Sequence, residues 1–254
     1  MKSFQAMLSF FTTIPIRIKF EIDDDLYKKG MKYLFVIALI IGIPVGFAAY
    51  LQRWIGSYIA AFISFGLYLV ISGGLHIDGL ADTMDAFGSN KDRQRMLDIM
   101  KDSHIGTFGV LSISVYSIGM VLFIAQANYA VAGLFPLVGR TAALMCARLF
   151  YYARPAGTAK CFVDGAKTVY VAVSVLAYIV IVVLFCYDFS TLKFDGRHAV
   201  ILFLPYMLSI GAVVLCVLGM SRKLGGITGD VIGFGIEASQ LLYLLGSSIL
   251  LKIW

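Results

Sequence analysis

Long apolar runs constrain this chain more than anything else in it. Seven of them, at about 31–51, 55–73, 107–126, 129–149, 168–187, 198–219 and 233–253, approach the ~20 mostly apolar residues that a helix needs to cross a bilayer. The chain is 60% hydrophobic and 14% charged, where soluble domains carry about 25% charge, so a soluble fold is excluded. The expected fold is all-α: one membrane-embedded domain over 1–254, a bundle of about seven transmembrane helices with a range of six to eight. The weakest span is 129–149, which contains Arg140 and Arg148. Before the first span, Phe4, Leu8 and Phe11 recur at helical spacing, which predicts an interfacial or re-entrant helix ended by Pro15. The Asp23-Asp24-Asp25 run reads as a solvated turn. The first ~20 residues lack the pattern of a cleavable signal peptide. Cys146, Cys161, Cys186 and Cys216 form no C-x-x-C motif and are expected to have no functional role.

Charge gives the orientation. With the N-terminus in the cytoplasm, most Lys and Arg fall in the N-terminal segment and the loops at about 74–106, 150–167 and 220–232. Arg53, Lys193, Arg197 and Lys252 fall on the other side. That bias predicts an N-in, C-out bundle. It accounts for the net charge of +6 without nucleic acid, and a basic face also suits an anionic substrate. The same cytoplasmic loops hold nearly all the unusual polar residues.

The stretch HIDGLADTMDAF, 76–87, is the densest of these. On a helix Asp78, Asp82 and Asp85 stand at i, i+4 and i+7, one stripe of like charge that a cation would neutralise. Oxygen donors without thiolates suit Mg²⁺, which takes one or two carboxylates plus substrate phosphates. A solvated helix cap is the plain alternative. Gly73 and Gly74 precede the stripe and allow a sharp turn whose N–H groups suit phosphate. GGLHID (73–78) and GGITGD (225–230) share Gly-Gly-aliphatic-x-x-Asp, which is either an internal repeat with facing half-sites or convergence on anion binding. Glu237, seven residues after Asp230 and near the same helical face, is costly there unless paired, protonated or metal-bound, and Gly225, Gly226 and Thr228 are phosphate-side candidates. An interfacial, snorkelling Glu237 is the alternative.

In SNKDRQRMLDIMKDSHIG, 89–106, Ser89 and Asp92 mark a helix start. Lys101, Asp102 and Ser103 at its end are site candidates, with His104 orienting Asp102. Arg140, inside a span, and Arg154, opening a loop, are candidate anion clamps; Arg148 is expected to snorkel. His76 is either a general base or an orienting group. Acids, glycine turns and arginines on one face match Mg²⁺-assisted phosphoryl transfer. A transporter would rather bury isolated acids near the midplane.

These residues resemble a known family. GGLHIDGLADTMDAF, RMLDIMKDSHIGTFG, FTTIPI, the isolated Arg140, YARPAG (152–157) and GGITGD with Glu237 are similar to cobalamin (cobamide) synthases, the adenosylcobinamide-GDP ribazoletransferases. Gln240 stands where many relatives have an acid. The resemblance implies that a hydroxyl of α-ribazole, or of its 5′-phosphate, attacks adenosylcobinamide-GDP with release of GMP, using Mg²⁺, at the cytoplasmic membrane of a prokaryote. Under it, Asp78, Asp82 and Asp85 bind metal, with Asp230 and Glu237 on a second ion. Arg140, Arg154 and Lys101 meet phosphates, and His76 or Asp85 takes the hydroxyl proton. The implied partners are those two substrates and the lipid bilayer, not nucleic acid. Self-association and association with other nucleotide-loop assembly enzymes stay open. CDP-alcohol phosphotransferases, membrane prenyltransferases and a corrinoid transporter are the alternatives; the first carry an Ala-Arg after their Asp-Gly that is missing at 80–82.

Overall fold

Each apolar run folds as helix in the computed structural model, which describes residues 1–188 and 193–253. Short α1 (Lys2–Phe11) and α2 (Asp24–Gly30) lead through a 3₁₀ turn into α3 (Leu34–Tyr50) and α4 (Gln52–Ile55). There follow α5 (Ser57–Ser72), α6 (Leu75–Gly88), α7 (Arg93–Ile99), α8 (Thr107–Ile124), α9 (Tyr129–Leu149) and α10 (Thr158–Gly165). After α11 (Thr168–Cys186), a hairpin of β1 (Tyr187–Asp188) and β2 (Lys193–Phe194) precedes α12 (Gly196–Leu224) and α13 (Gly229–Ile253). The two strands pair antiparallel, Tyr187 opposite Phe194. Among the described residues six helices are long and apolar enough to span a membrane; α5 and α6 reach that length only together, bent by 91°, as a broken span or a re-entrant loop. The all-α, polytopic expectation holds.

The axis of the bundle is α9, the span that looked weakest. Of its span window 89% is buried, against 22% for α8 and for α11, which turn Val115, Ile118, Leu176 and Val183 outward. It can sit inside because small residues let its neighbours approach. A Cβ added to Gly42 of α3 would lie 2.2 Å from the Gly133 carbonyl oxygen of α9. Arg140 therefore faces protein, not lipid, and is fully buried. Arg148 near the helix end reaches Thr168, its Nε donating to Oγ1 at 3.0 Å.

Two helix boundaries differ from expectation. Helix α1 stops at Phe11, before Pro15, because the chain is tied to the end of α5. The Thr13 N–H donates to the Ile71 carbonyl at 2.8 Å and its hydroxyl to Val70 at 2.6 Å. Helix α7 is capped by Asp92, whose carboxylate accepts the Arg95 N–H at 2.9 Å; Ser89 instead follows the end of α6.

Candidate active site

The three loops expected on one side do meet at one end of the bundle. The Ala153 N–H donates to the Ile227 carbonyl at 2.9 Å, and the Ile227 N–H donates to Tyr151 at 2.8 Å. Arg93 crosses between them, its Nε donating to the Leu224 carbonyl at 2.7 Å and its Nη2 to Ala153 at 3.1 Å. This seam explains part of the second Gly-Gly. Gly226 has φ +143°, and a Cβ there would lie 2.6 Å from the Tyr151 oxygen. Gly226 therefore serves strand-like pairing, and Thr228 is fully buried, its hydroxyl accepting the Val231 N–H at 3.3 Å. Neither offers the open phosphate cradle that the motif suggested.

The first Gly-Gly makes the turn between α5 and α6, both glycines at φ +69°. Helix α6 then packs on the start of α13 through Gly79 and Gly233: a Cβ on Gly79 would sit 2.9 Å from the Asp230 carbonyl oxygen. The two Gly-Gly-x-x-x-Asp copies thus meet face to face. Asp82 lies in the field of Asp78, Asp230 and Asp85, with Arg154 as the opposing cation. Arg154 Nη2 is 3.6 Å from Asp230 Oδ2. That is an ion pair but too long for a hydrogen bond, and Asp230 Oδ2 is buried without a hydrogen-bond partner.

Asp85 does something else. Its two oxygens accept the Gly106 and Gly109 N–H groups at 2.7 and 2.8 Å. It caps α8 from a neighbouring helix, satisfying donors that no residue of α8 satisfies and meeting the positive end of that helix. Cβ atoms at 106 and 109 would fall 2.4 and 2.3 Å from its oxygens, so the glycines of IGTFG are seats for this carboxylate. The stripe therefore divides: Asp78 and Asp82 stand with Asp230, and Asp85 reaches the start of α8.

A cavity of about 360 Å³ opens beside the acids, lined by His76, Asp78, Asp230 and Arg154 and, on its other wall, by Phe10, Phe11 and Phe162. His76 is buried and its Nε2 has no partner. Lys101, Asp102 and Ser103 lie in an exposed loop between α7 and α8. There Asp102 accepts from the His104 N–H at 3.0 Å and pairs with its Nδ1 at 2.6 Å, and these bonds hold the Asp102 carboxyl below its ordinary range. Only the Gly106 end of that loop is bonded to the acidic helix.

Two other expected residues lie deeper. Glu237 is buried in the bundle, accepting the Tyr68 hydroxyl at 2.6 Å and the Tyr116 hydroxyl as well. Arg140 stands in the same interior, its charge acting on Glu237 and its Cζ 5.8 Å from the Tyr68 ring centre. None of its guanidinium nitrogens has a hydrogen-bond partner. Neither residue is among those that line the cavity beside Asp78 and Asp230. Among the described residues no three His, Cys, Asp or Glu side chains converge into a self-sufficient metal cage. Sequence reasoning missed Tyr68, Tyr116 and the aromatic wall, which look like ordinary core positions, and the glycine seats at 106 and 109, whose only signal was their spacing.

Comparison with known proteins follows the same lines. A family model described as cobalamin-5-phosphate synthase matches residues 3–248. A protein of Alkaliphilus oremlandii named adenosylcobinamide-GDP ribazoletransferase is 35% identical, covering 100% of this chain and 99% of its own. Proteins with that name from Clostridioides difficile and Escherichia coli K12 are 32% and 34% identical, each over 96% of this chain and over 96% and 98% of their own. No solved structure matches the chain. With a match along almost its whole length, and with both Gly-Gly-x-x-x-Asp copies at one mouth, the chain belongs to the cobalamin-5-phosphate synthase family.

Proposed function

We propose that the chain joins α-ribazole, or its 5′-phosphate, to adenosylcobinamide-GDP, forming adenosylcobalamin or its 5′-phosphate and releasing GMP, on the cytoplasmic face of a prokaryotic inner membrane. The observation that carries this reading is that Asp78, Asp230 and Arg154 line one cavity, with Asp82 in the field of all three. A diphosphate needs its charge neutralised and its leaving group stabilised, and an acid cluster with one arginine provides for both. The donors fit Mg²⁺. They are hard oxygens, mutually repelling, and Asp230 Oδ2 is buried without a hydrogen-bond partner. One or two of the Asp78, Asp82 and Asp230 carboxylates would hold the ion together with the substrate phosphates, and it would supply charge neutralisation at the diphosphate.

The remaining chemistry belongs to side chains. Arg154 binds the phosphate that departs with GMP, its planar fork matched to phosphate oxygens. His76, a cavity-lining residue whose buried Nε2 has no hydrogen-bond partner, takes the proton of the attacking hydroxyl. The new P–O bond forms to the ribazole oxygen as the bond to the GMP oxygen breaks. Glu237 favours this enzyme reading over transport, because a buried acid clasped by two phenols is a structural tie, not a free carrier site. The test is purified protein in nanodiscs with adenosylcobinamide-GDP and α-ribazole. GMP and a corrinoid carrying the ribazole nucleotide should appear together, only with Mg²⁺; no GMP with any acceptor, beside corrinoid uptake into sealed vesicles, would favour transport.

A further inference from the structure

A second cavity lies away from the acids, as an apolar groove of about 510 Å³ between α3, α9 and α11. Leu39 lines its inner end, and Tyr50, Tyr129 and Phe185 line its outer end. Ile43 and Phe47 on its wall are 71% and 64% exposed, so it opens on the outer surface of the bundle. From Leu39 to Tyr50 helix α3 rises about 16 Å, half of a hydrocarbon core of about 30 Å. The groove is therefore one leaflet deep. Its mouth carries a cation. The Arg53 guanidinium carbon stands 4.0 Å from the Tyr50 ring centre and 5.2 Å from that of Trp54. Those two rings meet edge to face at 5.4 Å and make a fixed platform under the charge. Arg53 is exposed, and among the described residues no hydrogen bond or ion pair engages it. Helix α5, 16 residues and about 24 Å long, separates this end from Gly73 and the acidic mouth.

We infer that this groove is a lipid site: it holds one acyl chain of an anionic glycerophospholipid, of the phosphatidylglycerol type, whose phosphate sits on Arg53. Tyr50 joins the two parts of the site, because the same ring supports the guanidinium and walls the groove. A phosphate taken by Arg53 thus places its glycerol at the mouth and its chain along the apolar floor. The planar fork of arginine suits two phosphate oxygens, and stacking on the rings leaves its N–H edge free for them. Tyrosine and tryptophan at this level match the headgroup region of a bilayer. Charge selects the lipid. A phosphatidylethanolamine headgroup brings its own ammonium beside its phosphate, which repels Arg53 and competes with it, whereas a phosphatidylglycerol headgroup brings none. Length selects a lipid over a second copy of this chain. A spanning helix would need a groove across the whole core, about 30 Å, and this one covers a single leaflet.

The test is native mass spectrometry of the full-length protein, stripped of lipid in detergent and then titrated. The probes are phosphatidylglycerol and phosphatidylethanolamine with the same acyl chains, on the wild type, Arg53→Gln and Ile43→Trp. The wild type should bind one phosphatidylglycerol about tenfold more tightly than phosphatidylethanolamine, the scale of one hydrogen bond between charged groups. Arg53→Gln should lose that preference by weakening phosphatidylglycerol alone. Ile43→Trp fills the groove from its exposed wall and should weaken both lipids alike. Both altered side chains are exposed, so both variants should melt like the wild type. Equal binding of the two lipids by the wild type would overturn the assignment, and so would unchanged phosphatidylglycerol binding in either variant. A dimer that forms without bound lipid and is lost in Ile43→Trp would give the groove to a second copy and overturn it as well.

Discussion

Asp82 and Asp85 sit less than one turn apart on α6, yet their surroundings set different tasks. Asp82 is exposed to three other carboxylate charges and one arginine, so Asp82→Asn should cut kcat about 100-fold at limiting Mg²⁺, with partial recovery at high Mg²⁺. Full turnover at limiting Mg²⁺ would remove Asp82 from the ion site. Asp85 holds two backbone N–H groups. Asp85→Asn should therefore lower stability by about 1–2 kcal/mol, the scale of a lost cap. A melt in detergent would show it, and the Mg²⁺ concentration for half-maximal rate should stay as in the wild type. Arg154→Lys keeps the charge but loses the fork, and should reduce kcat/KM for adenosylcobinamide-GDP about tenfold or more; an unchanged value would take the arginine off the phosphates. The identity of these charged residues was legible from spacing alone. Their division of labour was not, since it depends on which helix end lies beside each carboxylate.

The helices meet through glycines at the places that matter. Gly109 seats Asp85 against α8, and Gly79 lets α6 touch α13. A methyl group at 109 would fall 2.3 Å from Asp85 Oδ2, so Gly109→Ala must either push the carboxylate away or tilt α8. The expected cost is about 1–3 kcal/mol, typical of overpacking, with a lower melting temperature and faster amide exchange in the first turn of α8. Protection equal to the wild type would mean that the seat is not tight. Glycine content was visible in the sequence, but the helix each glycine touches was not. The short α1 shows the same limit. Its Phe4-Leu8-Phe11 face read as an interfacial helix, whereas the fold turns Phe10 and Phe11 into one wall of a cavity shared with α6 and α13.

The polar interior spans the molecule. Tyr68 on α5, Tyr116 on α8, Arg140 on α9 and Glu237 on α13 bring four helices together in a buried core. Glu237→Leu leaves a buried cation and two phenols without an acceptor and should destabilise by about 3–5 kcal/mol. The double variant Arg140→Met with Glu237→Leu should recover a large part of that loss in a thermal melt. Additive losses would show that the two charges do not act as a pair. At the far end of the bundle Tyr50, Trp54 and Tyr129 form an aromatic group, and the Arg53 guanidinium carbon lies 4.0 Å from the Tyr50 ring centre, as at a membrane interface.

Seven apolar runs in a chain with few charges were enough to dictate a helical membrane bundle, because lipid-length hydrophobic stretches have no other stable fate. Repeated Gly-Gly-x-x-x-Asp segments and clustered acids were enough to mark the chemistry, because carboxylates near lipid are costly without a purpose. Tertiary structure alone decided which polar groups meet. Only after folding does Asp230 come beside Asp82 while Asp85 goes to α8, and only then is Arg140 enclosed with Glu237. Spacing along a helix says which residues share a face, but the neighbour opposite that face comes from a distant part of the chain, and each charged group takes its role from that neighbour.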